Sequence, residues 1–310
     1  MPTAVTRRVE LPKARVAVIG AGLMGHGIAQ VFALAGHDVT ITDTVVQNLD
    51  AAKARIAANL RDLGDDERAV DRVEPCFSLA DAVRNADYVV EAVSENLPLK
   101  QKLFAEIERH VRPDTILASN TSVIPITAIM QGLQRRERAL GTHWWNPPFL
   151  VPLVEVIETQ WTSPEVVAWT MKLHADAGKT PAHVKKDVPG FIGNRLQHAL
   201  WREAISLVEQ GICDAETVDS VVKASFGRRL PVLGPLENAD LVGTDLTLAI
   251  HNTVLPAIDS RPEPSPYLQK LVADKKLGFK SGEGFRKWSP GEQAALRATL
   301  ASHLKSMRDR

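Results

Sequence analysis

One turn, Gly20-Ala21-Gly22-Leu23-Met24-Gly25, constrains this chain more than any other stretch. It follows Arg15-Val16-Ala17-Val18-Ile19, a short apolar run rich in β-branched residues that reads as a buried strand. It precedes Ile28 to Ala35, a run of good helix formers stopped by Gly36. The glycines therefore occupy a strand-to-helix turn. Gly20 permits the tight bend, Gly22 lets a pyrophosphate approach the backbone, and Gly25 lets helix and strand pack closely. Leu23 and Met24 belong to the same turn. The helix N-terminus offers free N–H groups and the positive end of a dipole to phosphates.

A glycine triplet alone is a weak signal, and its surroundings strengthen it. Val39-Thr40-Ile41-Thr42 reads as a second strand ending at Asp43, 18 positions after Gly25. A carboxylate there suits a ribose 2′-hydroxyl and repels a 2′-phosphate, so NAD is expected rather than NADP. The alternative is a helix–strand contact that merely needs small residues.

The same segment excludes a membrane span. Val16 to Gly36 contains no Asp, Glu, Lys or Arg, but five glycines, His26 and Gln30 fit a strand, turn and helix instead. Met1–Arg15 shows no apolar signal core, so no leader is expected. With 37 basic and 37 acidic residues, the chain gives no electrostatic reason to bind nucleic acid or an anionic membrane. Cys76 and Cys213 are far apart, which points to a reducing, cytoplasmic setting rather than a disulfide framework.

Strands and helices alternate through the first half. A helix is expected over Gln47–Leu63, a solvated turn at Asp65–Arg68, and a short helix capped by Ser78. Strands are expected at Asp87–Val93, Thr115–Ala118, Ala139–His143, Leu153–Ile157 and Pro181–Lys185. A helix starts at Asn96-Leu97-Pro98 and another at Ser163-Pro164-Glu165. This rhythm predicts an α/β fold, a Rossmann-like doubly wound parallel sheet. Ligands on such sheets bind beyond the carboxyl ends of the strands, where Asp43, Glu95, Ser122 and His143 fall.

Near Pro189-Gly190 the pattern turns helical. A long amphipathic helix runs from Phe191 to about Gln210, others begin at Asp214 and cover Leu241–Leu255, and Pro262–Pro266 is a loop. Two domains are expected, 1–188 and an all-helical 189–310. Leu296, Leu300, Leu304 and Met307 form a stripe on the tail, read as a helix docked on its own domain rather than on a partner.

These residues resemble the L-3-hydroxyacyl-CoA dehydrogenase family over nearly the whole chain. The resemblance rests on Gly20–Gly25, Val90-Glu91-Ala92 through Glu95-Asn96, Ser119-Asn120-Thr121-Ser122, His143 with Asn146-Pro147, and Leu153–Val156. It continues through Pro189–Arg195, Gly234-Pro235 and Lys280–Phe285, in matching order and spacing. It implies NAD-dependent oxidation of the secondary hydroxyl of a 3-hydroxyacyl group, as in fatty acid metabolism. It implies that His143 is the general base, that Glu155 orients it, and that Ser122 and Asn194 bind the substrate oxygen. For NAD the matching positions are Gly20, Gly22, Leu23, Met24, Gly25, Asp43, Glu95, Lys100, Asn146 and Lys280. A homodimer formed through the helical domains is implied as well.

The chemistry suits the residues. Imidazole titrates near neutral pH, so it can accept and return the hydroxyl proton. Taken singly, each residue has a plainer alternative. His143 beside Trp144 and Trp145 is a packed strand histidine; Glu155 is a solvent-facing strand position. Ser122 is a cap for a helix near Pro125, and Asn194 is a surface residue of a first helical turn. Arg195 and Arg202 read as helix-surface charge rather than substrate anchors. The remaining histidines show no metal-ligand spacing.

The chain also departs from the family. The stretch between Asp43 and Asp87 is shorter than the helical hairpin that helps bind CoA, and Asn59 and Asp66 fall where relatives carry a Ser and a Lys. Trp144-Trp145 replaces the more usual Phe pair, either as a pocket wall or as simple packing, and Leu150-Val151-Pro152 replaces a segment that often carries Lys. These features keep open a small free hydroxy acid or alcohol in place of a CoA thioester. A non-catalytic NAD-binding structural protein, or a partner of a hydratase, are the remaining alternatives.

Overall fold

The structure, a computed structural model, describes residues 13–308. The stretch read for a leader lies mostly outside the described residues. Eight strands form one sheet: β1 (Arg15–Ile19), β2 (Asp38–Thr42), β3 (Val73–Pro75), β4 (Tyr88–Glu91), β5 (Ile116–Ser119), β6 (Ala139–Trp144), β7 (Leu153–Ile157) and β8 (Thr180–Val184). Their spatial order is β3-β2-β1-β4-β5-β6-β7-β8. The chain thus reverses direction beside β1, and the crevice there opens beyond the strand ends.

Helices α1 (Leu23–Leu34), α2 (Val46–Leu63), α3 (Leu79–Arg84), α4 (Leu97–Glu108), α5 (Ile126–Met130) and α6 (Pro164–Asp176) connect the strands. Successive side chains of β1 feed different cores: Val16 and Val18 join the cluster with Phe32 and Ile56, while Ala17 and Ile19 join the one with Phe104 and Ile107. A sheet buried on both faces explains the near-continuous apolar runs.

Three expectations need correction. The sheet is not wholly parallel, because β6 and β7 pair antiparallel. Only eight residues, 145–152, separate them, too few for a crossover connection. The stretch after Asp65 is not a bare turn: Asp66 caps a 3₁₀ helix at Glu67–Arg72, which leads into β3. Three residues flanked by charge gave β3 no readable periodicity. Leu241–Leu255 is not one helix, for Gly243 at φ +104° breaks it.

The chain contacts divide it into two compact units, one through Arg195 with the last turn from Leu304, the other Leu196–His303. The second is built of α7 (Gly193–Glu209), α8 (Ala215–Ala224), α9 (Pro235–Val242), α10 (Thr244–Val254), α11 (Pro266–Ala273) and α12 (Pro290–Arg308), the first and last of which cross the division. Among its described residues only Ser206 and Leu271 are buried. The tail stripe does not behave as one face. Leu296 and Leu300 are exposed, while the last turn belongs to the first unit, where Lys305 and Arg308 pair with Asp62 and Asp65. No helix among the described residues is long and apolar enough to cross a membrane.

Candidate active site

The glycine turn is built as its spacing requires. Gly20 lies at φ +100°, and a Cβ there would meet the Ala92 carbonyl oxygen at 2.7 Å. A Cβ on Gly25 would fall 1.7 Å from the Gly20 oxygen, so only glycine lets α1 start this close to β1. A Cβ on Gly22 would meet nothing within 4 Å, which leaves that side open for a ligand. α1 begins at this glycine without a side-chain cap. Leu23 is exposed beside it, and Met24 packs on the core. At the end of β2, Asp43 accepts hydrogen bonds from Ala21 N at 2.7 Å and Val45 N at 2.8 Å, which fixes its carboxylate at the turn. The open cradle, the uncapped helix start and the anchored acid fit a dinucleotide.

A second node lies beyond β4 and β5. Glu95 Oε1 accepts from Thr121 Oγ1 at 2.5 Å, Ser122 N at 2.9 Å and Val123 N at 3.1 Å. Burial alone would push the Glu95 carboxyl up, but the bonds from Thr121 and Val123, the Lys100 charge and the Ser122 N–H outweigh it and hold it below its ordinary range. Lys100 is completely buried and offers no surface to a ligand. Its ammonium donates to Glu91 at 2.6 Å and sits 3.5 Å from Glu95 Oε2.

The third node is the histidine. Antiparallel pairing sets His143 directly opposite Glu155, and opposite residues of such a pair share one face. His143 Nδ1 donates to Glu155 Oε2 at 2.8 Å, with both side chains buried. The other carboxylate oxygen accepts from Ile192 N at 2.9 Å and Gly193 N at 3.0 Å. Burial pushes Glu155 up, yet the bonds from His143, Gly193 and Ile192 and the imidazole charge hold it below the usual carboxylate range. An ionised carboxylate only accepts, so Nδ1 carries the hydrogen, and in the neutral form of the ring the lone pair is on Nε2. The next residue along, Asn194, donates its amide to the Ser122 carbonyl at 2.8 Å. Backbone and hydrogen bonds thus link His143, Glu155, Asn194, Ser122 and Glu95 without a gap.

Glu155 does not face solvent, and Ser122 does not cap α5, whose cap position is Pro125 with no side-chain bond. The Trp pair divides: Trp144 is core, against Phe32 and His174, whereas half-buried Trp145 stands 5.4 Å from the His143 ring. Asn146 is exposed in the β6–β7 connection, and Lys280 lies exposed in the second unit. Asn59 binds Gln30 at 3.0 Å, and Asp66 is engaged by Arg68. Sequence reasoning gave no role to Glu91, Ser119 or Asn120. Ser119 Oγ donates to Glu91 at 2.6 Å, and Asn120 accepts from Trp144 N at 2.9 Å, tying β5 to β6. An acid, Glu91, inside the otherwise apolar run Tyr88–Val93 was the available signal.

Comparison with known proteins agrees across the chain. Residues 15–188 match the 3-hydroxyacyl-CoA dehydrogenase NAD binding domain and residues 190–288 its C-terminal domain. A 5-formyl-3-hydroxy-2-methylpyridine 4-carboxylate 5-dehydrogenase of Mesorhizobium japonicum is 35% identical over 94% of this chain and 96% of its own. A probable 3-hydroxybutyryl-CoA dehydrogenase of Deinococcus radiodurans is 40% identical over 87% of this chain and 99% of its own. A crystal structure of a pyridine-carboxylic acid 5-dehydrogenase of the first kind, an NAD+-dependent dismutase, superposes with a TM-score of 0.89 at 34% identity, covering 96% of this chain and 98% of the other.

Proposed function

The chain belongs to the 3-hydroxyacyl-CoA dehydrogenase family, and from that membership we propose that it is an NAD-dependent dehydrogenase oxidising the secondary hydroxyl of a 3-hydroxyacyl group. The observation that carries the reading is the buried His143–Glu155 pair, whose bonded neighbours lead to Asn194 and Ser122. His143 Nε2 takes the hydroxyl proton. Glu155 holds the ring and stabilises the imidazolium that forms. The Ser122 hydroxyl and the Asn194 amide orient the substrate oxygen. Gly20, Gly22, Gly25, Asp43, Glu95 and Asn146 would hold NAD, with Leu23 and Met24 framing the turn and Lys100 supporting Glu95. When bound, NAD supplies the two-electron acceptor.

A second reading has specific support: the same chemistry on a small free hydroxy acid. Asn59 and Asp66 are spent on Gln30 and Arg68, and the pyridine-carboxylate relative matches more of this chain than the hydroxybutyryl-CoA relative does. We also read 1–188 and 189–310 as the two domains. A homodimer through the helical domain is supported by its exposed apolar side chains, such as Leu241 and Leu248, and by its scarcity of buried ones. The two free cysteines suit a cytoplasmic setting.

NADH formation from L-3-hydroxybutyryl-CoA and from free L-3-hydroxybutyrate tests the reading. Wild type is expected to turn over the thioester, and His143→Ala to lose about 10³-fold in kcat with NAD affinity kept. Turnover of the free acid alone establishes the second reading. A His143→Ala variant as fast as wild type overturns both.

A further inference from the structure

The turn that feeds α7 is held in an unfavourable backbone conformation. Phe191 lies at φ +51°, and among the described residues only Lys275 shares a positive φ without being glycine. A side chain in that region crowds its own backbone, and such residues persist where the surroundings fix them. Phe191 is completely buried.

What the conformation achieves is visible in its neighbours. A left-handed residue lets the following N–H groups converge on one anion. Here Ile192 N and Gly193 N meet Glu155 Oε1 at 2.9 Å and 3.0 Å. The Phe191 ring itself packs 5.6 Å from the His143 ring.

Trp145 closes the same group from another element. Its ring lies 5.4 Å from His143. A Cβ on Gly193 would fall 2.5 Å from Trp145 Cζ2 and 3.4 Å from Glu155 Oε2. The indole therefore fills the space that a side chain would need at the residue whose N–H holds the carboxylate. Its own Nε1 is buried with no hydrogen-bond partner among the described residues. The indole and the left-handed residue thus meet at one histidine.

We propose that Phe191 and Trp145 are positioning residues for the His143–Glu155 pair. The left-handed turn aims two N–H groups at one carboxylate oxygen, and the two rings hold the imidazole with its Nδ1 on the other. Both carboxylate oxygens are then occupied, so neither the acid nor the ring can turn away from the reacting geometry. The inference rests on His143 being the base.

The test couples Gly193 to Trp145. Gly193→Ala puts a methyl group into the indole, while Trp145→Phe removes the atom it strikes. In the wild-type background, Gly193→Ala is expected to lower kcat about 30-fold, and in the Trp145→Phe background less than about threefold. Phe191→Leu keeps apolar volume but no ring. It is expected to lower kcat about tenfold and to move the acid limb of the kcat–pH profile by about half a unit, with KM for NAD within about twofold. Equal losses from Gly193→Ala in both backgrounds overturn the inference. So does a Phe191→Leu enzyme that melts earlier but keeps its kcat and pH profile. Those failures with an inactive His143→Ala enzyme sink the positioning role alone; an active His143→Ala enzyme sinks the base assignment itself.

Discussion

Glu155 and Glu91 are both sealed inside the first unit, and their partners give them different work. Glu155 holds an imidazole, a group that changes charge as it exchanges a proton, and two backbone N–H groups fix its other oxygen. Glu91 holds the ammonium of Lys100 at 2.6 Å, the N–H of Val93 at 2.7 Å and the hydroxyl of Ser119 at 2.6 Å. Lys100 and Ser119 are themselves completely buried, with no surface open to a substrate. The second cluster instead supports the node at Glu95, which fixes the backbone of Ser122 and Val123. Burial of a carboxylate does not by itself mark a catalytic residue; the chemistry of its partner does.

The sharpest way to break this comparison is Glu155→Gln. The amide keeps the shape and loses the charge that favours the imidazolium. The expected loss is about 10³-fold in kcat, roughly 4 kcal/mol, with substrate affinity little changed. A rate near that of wild type would make Glu155 a second Glu91, a structural acid. The counterpart is Lys100→Met, which leaves Glu91 buried without its cation. Stability should fall by about 3 kcal/mol in a denaturant titration, because an uncompensated charge stays inside. KM for NAD should rise as Glu95 loosens, while kcat at saturating NAD stays within about threefold of wild type. A kcat collapse like that of Glu155→Gln would erase the distinction between the two clusters.

The two clusters also differ in how far the sequence reveals them. The glycine turn and the strand carrying His143 were legible because period and composition report local structure directly. Glu155 was legible as a residue, but its contact with His143 depends on an antiparallel pair that a parallel sheet would not contain. The short link through Asn146-Pro147-Pro148 was the clue to that pairing. Lys100 was legible only through the family resemblance, which gave it to the cofactor, because burial of a lysine follows from tertiary packing. Phe191 was legible only as an apolar residue of a helix start, since a left-handed backbone at a phenylalanine has no local signature. The tail stripe misled for the same reason: helical spacing shows that a face is apolar, not what covers it.

His174 completes the comparison, as a buried imidazole with no carboxylate. Its Nδ1 donates to the Thr170 carbonyl at 2.8 Å, its Nε2 has no partner among the described residues, and the rings of Phe32, Tyr88 and Trp144 pack around it. Burial pushes it down to about 4; the Thr170 bond opposes this, and the charges of Lys179 and His37 add to it. The folded value lies below the unfolded one near 6.5, so as pH falls the unfolded chain takes the proton first. Stability from this residue is therefore complete above about pH 6.5 and is lost as pH falls toward about 4. Between pH 7 and pH 5, wild type should lose roughly 2 kcal/mol more than His174→Gln in urea titrations. His26, also pushed down by burial and not among the charges that act on His174, titrates in both proteins and cancels in the difference. Equal acid sensitivity of the two proteins would mean that His174 accommodates its charge without a carboxylate. The contrast with His143 would then lie in the strained Phe191 turn rather than in Glu155.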